Sequence, residues 1–129
     1  MKTVLIVEDE ENIAEAEKMI LEDVFTVHVA NDGEEGLRLA KEVKPDVIVL
    51  DLMLPKVDGL DVCKQIKAIP ELSATKVVMV TAKNQQIDEE EGLDVGADDY
   101  IMKPFEPIEL VHVITQVLEK EIREAEKSE

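Results

Sequence analysis

Pro45-Asp46-Val47-Ile48-Val49-Leu50-Asp51 is the stretch on which the reading of this chain turns. Val47–Leu50 is a continuous aliphatic run with no polar residue on either alternating face. Such a run reads as a strand buried on both sides, the kind found inside a parallel sheet covered by helices. The run ends in a carboxylate, Asp51. Open parallel sheets bind their ligands just outside the carboxyl ends of the strands. Similar runs stand at Val4–Val7, Val27–Ala30 and Val77–Val80, and Tyr100-Ile101-Met102 is a weaker fifth.

Helical spacing fills the intervals. Ile13, Ala16 and Ile20 fit one face, and Leu37 and Ala40 another. Val62, Ile66 and Ile69 fit a third, Leu93 and Ala97 a weaker fourth, and Ile108, Val111, Ile114 and Leu118 the last. Strand and helix therefore alternate five times. This predicts an α/β domain with a parallel sheet and right-handed crossovers. The runs stand too far apart for hairpins, and no internal repeat is visible.

The chain has 129 residues, the size of one domain. Its charge is -17, from 31 acids against 14 bases. DNA and anionic membranes would be repelled by that surface, whereas cations and basic protein patches would not. A solvated, solubilising surface accounts for the excess equally well. With no Trp, one Tyr and two Phe, the chain lacks a platform for stacking bases or sugars. Cys63 stands alone, which excludes an internal disulfide and suits a cytoplasmic home. No apolar run approaches the roughly 20 residues of a membrane span.

Four of the five runs are followed by a residue able to do chemistry; the second is followed by Asn31-Asp32-Gly33, which reads as a turn and helix start. Glu8 and Asp9 follow the first, Asp51 the third, Thr81 the fourth and Lys103-Pro104 the fifth. Singly, each has an ordinary structural reading: Asp51 as a turn or cap residue, Glu8-Asp9 as an acidic helix start, Thr81 as a cap. Together they place three carboxylates, a hydroxyl and an ammonium on one rim. Two like charges about 4 Å apart repel by ~4 kcal/mol at an effective dielectric near 20, so such a group requires counter-charge. A hard divalent cation answers that need, and Mg²⁺ suits a site that keeps waters for an incoming phosphate.

With these residues in view, the chain resembles the receiver domain of two-component response regulators, of the chemotaxis-regulator type. The stretches that carry the resemblance are Val4–Glu10, Pro45–Asp51, Met53-Leu54-Pro55 with Asp58-Gly59, Val80-Thr81-Ala82 and Gly96–Phe105. They span residues 2 to about 118. The resemblance implies a flavodoxin-like, doubly wound, five-stranded parallel sheet of order 2-1-3-4-5 with five flanking helices. It implies that Asp51 receives a phosphoryl group from a phosphohistidine on a sensor histidine kinase or histidine phosphotransfer protein. Glu8, Asp9, Asp51 and the backbone carbonyl of Met53 would hold Mg²⁺, with Asp9 a direct ligand and Glu8 acting through water. The first acid of the pair is often Asp in this family; here it is Glu.

Lys103 would pair with a phosphate oxygen across a cis Lys103–Pro104 bond. Thr81 and Tyr100 would form the switch, Tyr100 turning inward on phosphorylation. Met53 and Lys83, two residues beyond the acceptor and the hydroxyl, would line the approach of water and tune lifetime. Met53 cannot act as an acid or base. That opposes a haloacid-dehalogenase type of phosphatase and predicts a persistent phosphoryl group. The domain is expected over residues 1–118, with 119–129 a charged helical extension or linker. In that tail, Thr115, Leu118, Ile122 and Ala125 could form a short coiled-coil seam, or the helix end could simply be solvated.

The family's output surface comprises the fourth helix, fifth strand and fifth helix, which would meet a downstream protein or output domain. The charges that pair winged-helix relatives are missing. The segment from Asp88 to Glu91 is acidic, and Val113 stands where a base is expected. Leu110, Val113 and Val117 add a second apolar line to the last helix, either exposed for a partner helix or part of a wide core face. A phosphorylation-independent pseudo-receiver is the alternative, opposed by the intact acid–Asp–Thr–Lys set. His28 and His112 read as surface positions, Cys63 as a small core or boundary residue, and Phe105 as packing after the proline turn.

Overall fold

The aliphatic runs form strands β1 (Thr3–Val7), β2 (Thr26–Ala30), β3 (Val47–Asp51), β4 (Lys76–Ala82) and β5 (Asp99–Lys103). They pair in parallel in the order β2-β1-β3-β4-β5. The computed structural model describes residues 1–52, 54, 58–82 and 96–127. Among these lie four α-helices: α1 (Glu11–Leu21), α2 (Gly33–Val43), α3 (Gly59–Ala68) and α4 (Pro107–Lys127), the last of the predicted helical segments. A 3-10 turn at Pro70–Leu72 leads into β4. The predicted segment from Asp88, with Leu93, lies outside the described residues.

Alternation along the central strands builds two cores. Leu5, Val7, Ile48, Leu50, Val77 and Met79 face one side, where they cluster with Ala40 of α2 and Val62, Cys63 and Ile66 of α3. Val4, Ile6, Val47, Val49, Val78 and Val80 face the other, with Leu21 of α1 and Leu110, Ile114 and Val117 of α4. The inner strands β1 and β3 are buried almost throughout, whereas β2 and β5 are half-exposed edges. His28 on β2 is half-buried, and His112 on α4 is exposed.

Local chemistry fixes the joints. Asp32 and Asp58 accept backbone N–H bonds from Glu35 and Leu60 at 2.9 Å, capping α2 and α3. Asp98 ties the entrance of β5 to its neighbours: its carboxylate accepts from Val77 N–H at 2.8 Å and from Lys67 Nζ at 2.9 Å. Just before it, Gly96 holds φ +95°, a conformation that suits glycine.

Three details differ from the expectation. The buried face of α1 is Ala14, Glu17 and Leu21; Ala16 is exposed and Ile13 and Ile20 only half-buried. Leu21 is fully buried in the cluster that holds Val4, Ile6 and Phe25. At 3.6 residues per turn, positions 14 and 17 follow it onto the sheet-facing side. On α4 the buried stripe is Leu110, Ile114, Val117 and Leu118, so the core face mixes the two predicted lines. Ile108 is 69% exposed, because six residues of helical rotation carry it about 120° from Ile114. Ala97 is buried but follows Gly96 outside any helix.

Candidate functional site

Strand register gathers the chemistry. Asp51 ends β3 opposite Val80 of β4, and Lys103 ends β5 opposite Ala82. Glu8 extends β1, where its backbone N–H donates to Ala30 O at 3.0 Å. Side chains on a strand alternate, so Glu8 projects to the same side as Val4 and Ile6, and Asp51 to that of Val47 and Val49. Lys103 shares the side of Ile101. All three therefore face the layer of α1 and α4.

Lys103 Nζ lies 2.9 Å from Asp51 Oδ2 and 3.7 Å from Glu8 Oε1. Asp51 is 6% exposed and Glu8 2%, whereas Asp9 is exposed. Burial pushes Glu8 up to about 9; its hydrogen bond with Asp51 and that residue's charge add to the effect, and Lys103 opposes it. Burial alone would lower Lys103. The hydrogen bond to Asp51 and the charges of Asp51, Glu8 and Glu17 outweigh it and hold the ammonium above its usual range.

One oxygen each from Glu8, Asp9 and Asp51 lies within 4.8 Å of the others. Three hard carboxylate oxygens at this separation suit a small divalent cation, which takes oxygen ligands at about 2.1 Å and retains waters. Such an ion would also oppose the burial and the neighbouring carboxylate charge that push Glu8 up. Met53 and Lys83 lie outside the described residues.

Thr81 lies on β4 one residue beyond Val80, the partner of Asp51, and Tyr100 lies on the adjacent β5; both are half-buried. Tyr100 is opposite Met79, so alternation puts Thr81 and Tyr100 on the same side of the sheet, that of α2 and α3. Tyr100 packs there against the core, and Phe105 packs on the opposite layer. The Lys103–Pro104 bond between site and α4 is cis.

Beneath Asp51 the chain is tight. A Cβ on Gly59 would stand 2.7 Å from Leu52 Cα and 2.8 Å from Asp51 O, so only glycine lets α3 start this close to the strand end. One residue near the site was not anticipated from sequence: Glu17, 5% exposed on the inner face of α1. Its spacing with Ala14 and Leu21 is the signal that could have revealed it.

The sheet order β2-β1-β3-β4-β5, with an acid–lysine cluster at its carboxyl edge, defines a doubly wound α/β fold of the flavodoxin-like type. A model for the response regulator receiver domain matches residues 4–115, and the chain belongs to that family. It is 43% identical over 122 residues to the response regulator ArlR of Staphylococcus epidermidis, covering 94% of this chain and 54% of that protein. It is 43% identical over 129 residues to the alkaline phosphatase synthesis transcriptional regulatory protein PhoP of Bacillus subtilis, covering 99% and 53%. The chain thus spans about half the length of these curated relatives. A CheY-like receiver domain protein from Methanospirillum hungatei superposes with a TM-score of 0.88 at 30% identity, over 96% of this chain and 98% of that one.

Proposed function

We propose that this receiver domain is a phospho-acceptor switch in which Asp51 takes a phosphoryl group from a phosphohistidine of a sensor kinase or histidine phosphotransfer protein. The observation that carries this reading is the Lys103 ammonium, 2.9 Å from Asp51 Oδ2 within a set of three convergent carboxylates. Asp51 is the nucleophile: a carboxylate oxygen forms the new P–O bond as the donor's P–N bond breaks and the imidazole leaves. Lys103 turns from the carboxylate to the incoming phosphate oxygens. Such transfers depend on positioning and charge neutralisation more than on covalent help.

Asp9 and Asp51 would hold Mg²⁺, with Glu8 reaching it through water and the Met53 carbonyl completing the protein ligands; bound there, the ion neutralises phosphate charge. Thr81 then donates a hydrogen bond to the phosphate, and Tyr100 turns inward behind it. Met53 and Lys83 line the path of attacking water and tune the lifetime. The chain catalyses its own phosphorylation and slow dephosphorylation without turnover on a separate substrate. The output is a protein contact, to a downstream partner or output domain, made by the surface around β5 and α4. We take residues 1–118 as the receiver and 119–129 as a charged helical extension or linker. A cytoplasmic location agrees with this role; among the described residues no helix is long and apolar enough to cross a membrane.

Intact mass after incubation with acetyl phosphate and Mg²⁺ tests the proposal. One added phosphoryl group is expected on the wild type, and none on Asp51→Asn or in EDTA. An unmodified wild type, where a control receiver reacts, would leave the phosphorylation-independent interaction module as the reading. The same samples followed over time report lifetime, and loss of the group within a few seconds would contradict the role given to Met53.

A further inference from the structure

Glu17 is a buried carboxyl that the acceptor chemistry does not require. It lies on the face of α1 that packs on the sheet, between Ala14 and Leu21, and is 5% exposed. Among the described residues its side chain makes no hydrogen bond or ion pair, and its carboxyl oxygens are not fully shut off from solvent. A carboxyl placed this way is costly to bury, and an aliphatic residue would fill the same position without that cost. Ala14 and Leu21 on either side are such residues.

Its surroundings indicate a use. Glu8, Asp51 and Lys103 all project to the α1 side of the sheet, as strand alternation requires. Helical side chains lean toward the helix N-terminus, and the N-terminus of α1 lies at the rim that carries Glu8 and Asp9. Glu17 begins about 9 Å down the axis from Glu11 and leans back toward that rim. Its charge acts on Lys103 and on Glu8, and the charges of Lys103 and Asp51 act on it. Burial first, with Asp51 adding and Lys103 opposing, pushes Glu17 up to about 7.

We infer that Glu17 is a positioning residue whose carboxylate competes with the phosphoryl group for the Lys103 ammonium, and so limits how tightly that group is held on Asp51. The inference rests on the acceptor reading above. In the resting site Lys103 has its close partner, Asp51. Once Asp51 carries a phosphoryl group, the ammonium must follow the phosphate outward. A negative charge behind it, on the inner side, opposes that movement and repels the phosphate as well.

The test is the dissociation constant of beryllium fluoride, a phosphoryl mimic, measured by calorimetry on the full chain at pH 8 with saturating Mg²⁺. Glu17→Gln keeps the shape and removes the charge, Glu17→Leu removes both, and Glu17→Asp keeps the charge. Binding at least threefold tighter in Gln and Leu alike, with Asp within twofold of wild type, is the expected result. Unchanged or weaker binding in Gln overturns the inference, as does a change confined to Leu, which would mark a packing effect. Failure of the wild type to bind the mimic at all would instead sink the acceptor reading, so the two failures are distinguishable.

Discussion

Replacing Glu17 with Gln should stabilise the protein by an amount that depends on pH, and the dependence can be worked out in advance. Glu17 is pushed from 4.5 up to about 7 in the folded chain, chiefly by burial. Its folded value lies above its unfolded one, so the native state retains a proton that the unfolded chain releases between those values. The contribution of Glu17 is therefore fully present below about pH 4.5 and is lost as pH rises through about 7. At about 1.36 kcal/mol per unit, that interval corresponds to ~3 kcal/mol. Gln has no such proton. The stability difference, mutant minus wild type, should climb by about 2–3 kcal/mol between pH 5 and pH 7.5 and then level off. Any fixed cost of burying the amide shifts the whole curve without bending it. Glu8 titrates in both proteins and largely cancels. The chain has no Trp, so urea unfolding followed by far-UV circular dichroism, in EDTA, is the suitable assay. Parallel stability curves for the two proteins across this range would refute the placement of an ionisable Glu17 in the core.

Gly59→Ala should cost about 1–3 kcal/mol of stability, because the new methyl meets backbone atoms of Asp51 and Leu52 that cannot swing aside. The same change should slow labelling of Asp51 by acetyl phosphate, and an unaltered urea midpoint would contradict the close approach. Lys103→Ala removes the ammonium paired with Asp51; with Lys103 28% exposed, we expect a loss of about 1–3 kcal/mol in EDTA. Millimolar Mg²⁺ should narrow that gap in melting experiments, and a gap that widens would oppose a shared cation site. For Tyr100, side-chain NMR with and without beryllium fluoride should show the ring's rotamer distribution moving inward, and an unchanged distribution would remove it from the switch.

Much of the fold was legible because β1, β3 and β4 are covered on both faces, and unbroken aliphatic runs are the direct imprint of that covering. The edge strand β5 left a fainter trace, since Met102 is 55% exposed and its partners on one side are absent. The acid and lysine positions were legible for a related reason. In a parallel sheet the residue after each run lands on the common rim, so local sequence reports a non-local site. Glu17 escaped the same reading because periodicity places charge outward by default. Its spacing with Ala14 and Leu21 fits a buried face, but which of the competing faces of α1 packs on the sheet is decided by how Leu21 seats the helix. The last helix was ambiguous for a simpler cause: Ile108, Leu110, Val111, Val113, Ile114 and Val117 cover more of its circumference than the sheet can take up, so rotation alone decides that Ile108 faces water.

The cation of this site arrives late in the chain. Lys103 follows Asp51 by 52 residues and belongs to the last strand, while both neighbouring acids are made far earlier. A chain that has emerged only as far as β4 would carry the three clustered acids, Glu8, Asp9 and Asp51, without the ammonium that the fold sets against Glu8 and Asp51. The charge balance of the site thus coincides with completion of the sheet.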